Sequence, residues 1–315
     1  MTANQTPPEA HHGPTLYESG DSVVIDCAVC GFAHALPLPT AEELAAVYRD
    51  AYYTEEKPQC LDQQAEDRDW LDLVNDERAA LLRRHMGPGE RTVLDAGCGA
   101  GFFLDACRRA GFGVLGVEPS RQAAAYAREV LGLPVVEACL DADLAASLAP
   151  VDAVAACEVL EHLPDPAGML RLFHRMLCPD GVLLISLPND GNPLQAAAQK
   201  QHGLPPWWIA PPHHLNYFTV ASITALLTRQ GFSPLHVQAS FPMEFFLLMG
   251  ENYVGDPALG RACHGRRKAF ETALAAAGLG ALMTRLYEQF AALGLGRTVQ
   301  ILARRVAPAD KEQQA

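Results

Sequence analysis

One stretch constrains the fold more than any other: TVLDAGCGAGFFLDACRRAG, residues 92–111. A short apolar run ends in glycines at alternate positions, Gly97, Gly99 and Gly101, and a helix-like stretch closed by Gly111 follows. Apolar run, glycine turn and helix together open a βαβ unit, where bare backbone comes close to whatever lies beyond the strand. The unit then repeats. GVLGVE reads as a strand, SRQAAAYAREVLG as a helix closed by Gly132, and PVVEA as a strand before a short helix. VDAVAACEVL is a strand, and DPAGMLRLFHRML is a helix with Met169, Leu172, Phe173, Met176 and Leu177 on its apolar face. GVLLISLPN is a strand, TVASITALLTRQG a helix, and FSPLHVQAS and GRTVQILARRV are the last strands. This rhythm predicts an α/β fold, a doubly wound parallel sheet with helices on both faces. It is interrupted at 190–218, rich in Pro, Trp and His, and at 241–295, mostly helix-like.

Ahead of the first unit, residues 1–22 read as a polar, disordered leader and 23–60 as a small module. Thr40 and Glu43 form a capping box before AEELAAVYRDAYY, with Leu44, Val47, Tyr48 and Ala51 on one face. DWLDLVNDERAALLRRHM is a further helix, ended by MGPGE. Residues 61–315 form the main domain, carrying the two insertions.

A chain of 315 residues suits one large domain with insertions. No apolar run reaches the ~20 residues of a membrane helix. The start has neither basic nor apolar signal character, so a cytoplasmic protein without a membrane partner is expected. Net charge is −13, and the one dense basic cluster is Arg266, Arg267 and Lys268, so nucleic acid is not an expected partner. The nine cysteines, several in apolar runs, fit free thiols in a reducing compartment. Oligomeric state is left open.

The turn's occupant follows from its spacing. A dinucleotide fingerprint would carry a third glycine where Phe102 stands, and a phosphate loop would carry Lys followed by Ser or Thr. Asp95 at the strand's end opposes phosphate and suits an ammonium group. Glu118 ends the next strand, where an acidic side chain accepts hydrogen bonds from ribose hydroxyls. A nucleoside without phosphate but with an amino-acid end, S-adenosylmethionine, meets all of these demands. Alone, the glycines would also suit a tight turn with no ligand; Glu118 argues for the ligand.

VLDAGCGAGFFL…GVEPS closely resembles the class I, seven-stranded, Rossmann-like S-adenosylmethionine-dependent methyltransferases, over roughly residues 91–235 and the terminal strand. The resemblance implies a seven-stranded, mostly parallel sheet with its last strand antiparallel, FSPLHVQAS pairing with GRTVQILARRV, and helical lid insertions. It implies that Asp95, Gly97, Gly99 and Gly101 line the methionine side. Glu118 would hold the ribose, Pro119 would pack by the adenine, and Asp141 would meet the adenine amino group.

ACEVLEHLPDP resembles the same region of the ubiquinone-biosynthesis O-methyltransferases, where positions matching Glu158, Glu161 and His162 can hold a divalent cation. Two carboxylates and an imidazole suit Mg²⁺ or a softer metal. The same residues also read without metal, Glu161 as a helix-start carboxylate and His162 in a structural hydrogen bond, and that reading is adopted here. Either way Glu158 is expected to face cofactor or substrate. In relatives a His before an LNYF-like segment sits over the methyl group, and some sugar methyltransferases use a Glu-His pair there. In APPHHLNYFT the pair is His213-His214, so the acidic partner is missing. His214 is expected as general base, with His213 or Tyr217 close by; the alternative is that these residues order a lid. Trp207 and Trp208 are read as a pocket wall or else a hydrophobic plug, the pocket wall being favoured. Met243, Phe245, Phe246 and Tyr253 suit core packing or the roof of a cavity.

IDCAVCGFAHALPLPTAEELAAVYRDAYY resembles the front end of a methyltransferase subgroup with a zinc ribbon built on two C-x-x-C pairs. Here only Cys27 and Cys30 are present, and a closed zinc site needs four ligands. His11 and His12 lie at a loop length that would complete one, but the expectation is a decayed, structural module without zinc. Tyr53, with Tyr52, matches a tyrosine-rich segment that closes over the cofactor in relatives. The function expected is methyl transfer from S-adenosylmethionine to a hydroxyl of a small sugar-like or aromatic metabolite, with secondary metabolism as one source of such acceptors. C- or N-methylation is the alternative, and a non-catalytic S-adenosylmethionine-binding or scaffold protein is the alternative of another class.

Overall fold

The computed structural model describes residues 11–46, 64 and 66–306. Three antiparallel strands come first: β1 (Thr15–Ser19), β2 (Ser22–Cys27) and β3 (Phe32–Leu36). β1 corrects the disordered-leader reading at residues 15–19, and residues 1–10 lie outside the described residues. Thr15 pairs with Ile25 and Glu18 with Val23, so a polar segment gains backbone partners that composition does not reveal. Helix α1 (Ala41–Ala46) starts on the expected capping box. Glu43 N donates to Thr40 Oγ1 at 3.2 Å, and Thr40 N donates to Glu43 Oε2 at 2.8 Å. Val47, Tyr48, Ala51, Tyr52 and Tyr53 lie outside the described residues. Helix α2 (Arg68–Met86) follows.

The strand–helix alternation runs as its periodicity predicts. Its elements are β4 (Thr92–Ala96), α3 (Phe102–Arg109), β5 (Gly113–Glu118), α4 (Arg121–Glu129), β6 (Val135–Glu137) and α5 (Ala142–Ser147). Next come β7 (Val151–Cys157), α6 (Pro166–Met176), β8 (Leu177–Pro188) and α7 (Pro193–His202). A two-residue strand β9 (Asn216–Tyr217), then α8 (Val220–Arg229) and β10 (Phe232–Ala239), complete this part. Helices α9 (Glu244–Leu248), α10 (Pro257–Ala276) and α11 (Gly280–Ala292) precede β11 (Thr298–Arg305).

Seven strands form one sheet in the order β10-β11-β8-β7-β4-β5-β6. β11 runs antiparallel to both its neighbours, while the β8-β7-β4-β5-β6 pairs are parallel. The doubly wound sheet with its last strand reversed is as expected. Its two faces are filled by alternate residues of the same strands, as the two-residue period of a strand demands. Leu94, Val154, Leu183 and Ile301 join one core with Phe173 of α6 and Leu226 of α8. Val93, Ala153, Leu184 and Leu302 join the other with Leu82 of α2 and Phe103 of α3.

Strand order reverses between β4 and β7, since β4 leads outward to β5 and β6 while β7 leads to β8. In open α/β sheets the crevice beyond the carboxyl ends at such a point is where ligands bind. Gly97 follows β4 and Glu158 follows β7, so both stand at its rim.

A second, four-stranded sheet, in the order β1-β2-β3-β9, was not foreseen. β9 comes from the 190–218 insertion, and its Asn216 and Tyr217 pair with His34 and Ala33. Trp208 is buried against Val24, Ala35 and Tyr217, and Trp207 packs beside it. The favoured pocket-wall reading is thus corrected for Trp208, which plugs the small sheet. Met243 and Phe246 are likewise core, packed around Cys263 of α10. Among the described residues no helix is long and apolar enough to cross a membrane.

Candidate active site

The glycine turn has the backbone its spacing implies. Gly97, Gly99 and Gly101 have φ of 74°, 53° and 85°, a region in which side chains are strained. A Cβ on Gly97 would lie 2.8 Å from Val159 Cγ2, and one on Gly101 would lie 2.7 Å from Leu133 Cδ1. The turn is tied across to β5, where Gly97 N donates to Val117 O at 2.8 Å. Glu118 is buried, and its carboxylate accepts from Gly99 N and from Ser120 N, both at 2.8 Å. These two bonds hold the carboxylate against the turn and lower its pKa, but burial outweighs them and moves it upward. Pro119, half-buried, follows.

Asp95, the penultimate residue of β4, is buried, and its Oδ1 has no hydrogen-bond partner among the described residues. Its carboxyl is pushed up to about 7 by burial, with Arg78 opposing and Glu118 adding to the rise. A buried carboxyl with a bare oxygen beside a glycine turn matches an ammonium group. Turn, Asp95 and Glu118 thus stand together beyond the end of β4, the three features that the sequence reading assigned to one ligand. Asp141 sits apart in role: it is exposed, and its Oδ1 accepts from Leu144 N at 2.8 Å to cap α5.

Beyond β7 the backbone is unusual, because Glu158 has φ of 56° without being glycine. Its N–H donates to Ser186 O at 2.7 Å, and Ser186 Oγ donates to its Oε1 at 3.1 Å. Arg78 of α2 donates to that same Ser186 Oγ at 3.1 Å, so the carboxylate is held by a chain of bonds reaching another helix. A 3-10 turn, Leu160–His162, then buries Glu161. Burial, and next the charge of Glu158, raise the Glu161 pKa well above the ordinary carboxylate value.

The loop before β9 is clamped onto this turn. Asn216 Nδ2 donates to Leu160 O at 2.9 Å and to Leu163 O at 2.8 Å. Leu215 N donates to Glu161 O at 2.8 Å, and His162 Nδ1 lies 2.6 Å from His213 O. Tyr217 Oη donates to His214 O at 2.8 Å. His214 is thereby set edge-on to His162, with ring centroids 5.0 Å apart. The ligand-type atoms of Glu161, His162 and His214 lie within 4.8 Å of one another. Folding brings a carboxylate, that of Glu161, 53 residues upstream, into the neighbourhood of His214. His213 is exposed and contributes its carbonyl. The structure brings His214 up to Glu161 and His162, while Glu161 stays beside Glu158 as the sequence motif had grouped them. Tyr53 lies outside the described residues.

Three further charged groups at the same strand ends were not singled out from sequence: Asp190 after β8, Glu244 in α9 and Arg297 before β11. Asp190 and Glu244 are buried. Asp190 is raised to about 7 by burial, with Arg297 opposing and Glu158 and Glu244 adding to the rise. No local motif marks them, since they meet only when the sheet closes.

A second group of ligand-type side chains lies in the small sheet. The ligand atoms of His11, Cys27, Cys30 and His34 fall within 4.8 Å of one another.

Fold and site define a class I, seven-stranded methyltransferase architecture, and the comparisons agree. A family model described as "Methyltransferase domain" matches residues 58–237, more than half of the chain. The chain belongs to this methyltransferase-domain family. The ubiquinone biosynthesis O-methyltransferase of Pseudomonas paraeruginosa is 33% identical over 121 residues, covering 37% of this chain and 52% of that relative. Its counterpart from Methylococcus capsulatus is 32% identical over 124 residues, covering 38% and 52%. The chain thus spans about half the length of the curated relatives it matches. The magnesium protoporphyrin IX methyltransferase of Synechocystis PCC 6803, solved with bound SAH, superposes with a TM-score of 0.51 at 17% identity. That match covers 84% of this chain and 100% of that one, and the likeness is one of fold.

Proposed function

We propose that this protein transfers a methyl group from S-adenosylmethionine to a hydroxyl of a small acceptor, sugar-like or aromatic, with His214 as general base. The observation that carries the reading is the juxtaposition at the β4–β7 reversal: a glycine turn, an unsatisfied Asp95 and a Glu118 held by two backbone N–H groups. When bound, S-adenosylmethionine supplies a sulfonium-activated methyl whose leaving group is a neutral thioether, so no general acid is required. Asp95 offers a carboxylate to the ammonium end and Glu118 its remaining lone pairs to the ribose hydroxyls. The naming of the curated relatives as O-methyltransferases supports oxygen as the accepting atom.

A hydroxyl acceptor needs a proton acceptor, a contribution worth about 10²–10⁴ in rate. An imidazole suits that task near neutral pH. The clamp from Asn216, Leu215 and Tyr217 fixes where the His214 ring stands, and Glu161 lies close enough to orient it.

The test has two parts. Titration calorimetry with S-adenosylhomocysteine should detect binding to the wild type, weakened about tenfold or more in Glu118→Ala, as expected for a charged hydrogen-bonding group. With an accepting metabolite, His214→Ala should lose about 10²–10⁴ in kcat at unchanged cofactor affinity. Failure of wild-type binding would end the reading. Full turnover by His214→Ala would remove only the base. Mass analysis of the product separates O- from C- or N-methylation.

A further inference from the structure

We propose that His11, Cys27, Cys30 and His34 form a closed, four-ligand structural zinc site that fastens the chain ahead of β1 to the β2–β3 hairpin. The proposal stands independently of the methyl-transfer reading.

The first argument is distance. Structural zinc is tetrahedral, with Zn–S about 2.3 Å and Zn–N about 2.0–2.1 Å, which places a sulfur and a nitrogen ligand about 3.6 Å apart. His11 Nδ1 lies 3.6 Å from Cys27 Sγ and 3.3 Å from Cys30 Sγ. The rings of His11 and His34 meet edge-to-face with centroids 4.6 Å apart.

The second argument is how the backbone delivers each ligand. Cys27 ends β2, and the chain folds back with Gly31 N donating to Cys27 O at 2.8 Å and Gly31 at φ of 75°. That turn brings the two thiols of the C-x-x-C pair together. In the β2–β3 register Cys27 faces Phe32 and Ile25 faces His34. Cys27 and His34 therefore share one face of the hairpin, by the two-residue alternation of strands. Residues before β1 run beside β2, with Ala28 N donating to His12 O at 3.0 Å and Asp26 N to Pro14 O at 3.0 Å. This backbone pairing carries His11 to the thiols.

The third argument is an unmet need. His34 is 1% exposed, and its Nε2 has no hydrogen-bond partner among the described residues. Its Nδ1 lies 3.2 Å from Ala35 O. A carbonyl can only accept, so Nδ1 carries the proton and Nε2 presents a lone pair. A backbone carbonyl fixing the tautomer of a ligating imidazole is a usual outer-shell arrangement of metal sites. Two thiolates with two neutral imidazoles balance a divalent charge, and the N₂S₂ tetrahedral set favours zinc. This reverses the expectation that the C-x-x-C pair had lost its metal. The imidazoles come from either side of it in sequence, and no C-x-x-C spacing points to His34.

The site has a mechanical consequence. His34 pairs in the sheet with Asn216, the residue that clamps the Glu161 turn. Zinc would brace the strand behind His214 without touching substrate.

The full chain, purified without a histidine tag, reduced and dialysed against metal-free buffer, should hold one equivalent of zinc by plasma emission spectrometry. Replacement by cobalt should give tetrahedral ligand-field bands together with thiolate-to-cobalt charge transfer. Cys27→Ser and His34→Ala should each lose metal affinity about tenfold or more, and His34→Cys should restore it. The proposal is overturned by a wild type lacking stoichiometric zinc, by a Cys27–Cys30 disulfide in its place, or by both variants keeping their metal. Should those variants fail to fold, the wild-type cobalt spectrum decides, and absence of thiolate charge transfer overturns it.

Discussion

Asp95 shows how far one residue's chemistry follows from its position. It is 3% exposed, with its carboxyl pushed up to about 7 chiefly by burial. A raised folded-state value means the folded protein holds the proton more tightly than the unfolded chain, whose carboxylate titrates near 4. Its contribution to stability is therefore complete below pH ~4 and is lost as the pH rises to about 7. Ligand binding has the opposite sign, because an ammonium group needs the carboxylate ionised. Affinity for S-adenosylhomocysteine should rise with pH up to about 7 and then level off, with protons released below that value. Calorimetry in buffers of different ionisation enthalpy reads both effects, and Asp95→Asn should abolish the proton release. Proton release unchanged in that variant would show that another group, such as Asp190, carries the linkage. Asp95 and Glu118 were legible because each lies at or next to a strand's end beside a recognisable turn. Asp190, Glu244 and Arg297 were not, because no fixed spacing relates them.

At the scale of elements, two connections shape the site. The first is the turn between β4 and α3. Gly97→Ala would force an L-residue to φ of 74° and set its Cβ 2.8 Å from Val159 Cγ2. Positive φ alone costs on the order of 1–3 kcal/mol, so the melting temperature should fall by several degrees and cofactor binding should weaken with it. A variant as stable as the wild type would remove the geometric account of that glycine. The second is the loop before β9. Asn216→Ala removes the side chain that donates to Leu160 O and Leu163 O, both facing the turn that carries Glu161. The expected result is a loss of about 1–3 kcal/mol in denaturant unfolding and a lower kcat, with S-adenosylhomocysteine affinity unchanged. Equal kcat would mean the clamp does not position His214. The strands and helices of the alternation were readable because a strand shows a period of two and a helix one of 3.6. β9 was not, since two residues are too few to show a period.

Across the whole molecule, the helical insertion at 241–295 is latched to the body through buried Glu271. It accepts from Trp70 Nε1 of α2 at 2.5 Å, from Tyr287 Oη of α11 at 2.5 Å and from Arg267 Nε at 3.0 Å. Glu271→Ala would leave a largely buried guanidinium and two donors unmatched, at a cost of about 3–5 kcal/mol. Denaturant unfolding followed by tryptophan fluorescence checks this; a loss under 1 kcal/mol would show that the latch is dispensable. The basic cluster noted in the sequence is spent within the chain. Arg266 bonds Glu251 at 2.6 Å, Arg267 bonds Glu271, and Lys268 meets Asp67.

Periodicity, glycine spacing and a strand-end carboxylate are local properties, written along the chain in the order in which the backbone uses them. They sufficed for the strand–helix alternation and for the glycine turn with its neighbouring carboxylates, and the family resemblance added the seven-strand count and the reversed last strand. Partners far apart in sequence carry no such signature, because only folding sets their separation. Glu161 reaches His214 through a loop clamp, Trp208 enters the small sheet instead of a pocket, and His11 and His34 close around one cysteine pair. Each of those pairings was decided by strand register and burial in three dimensions.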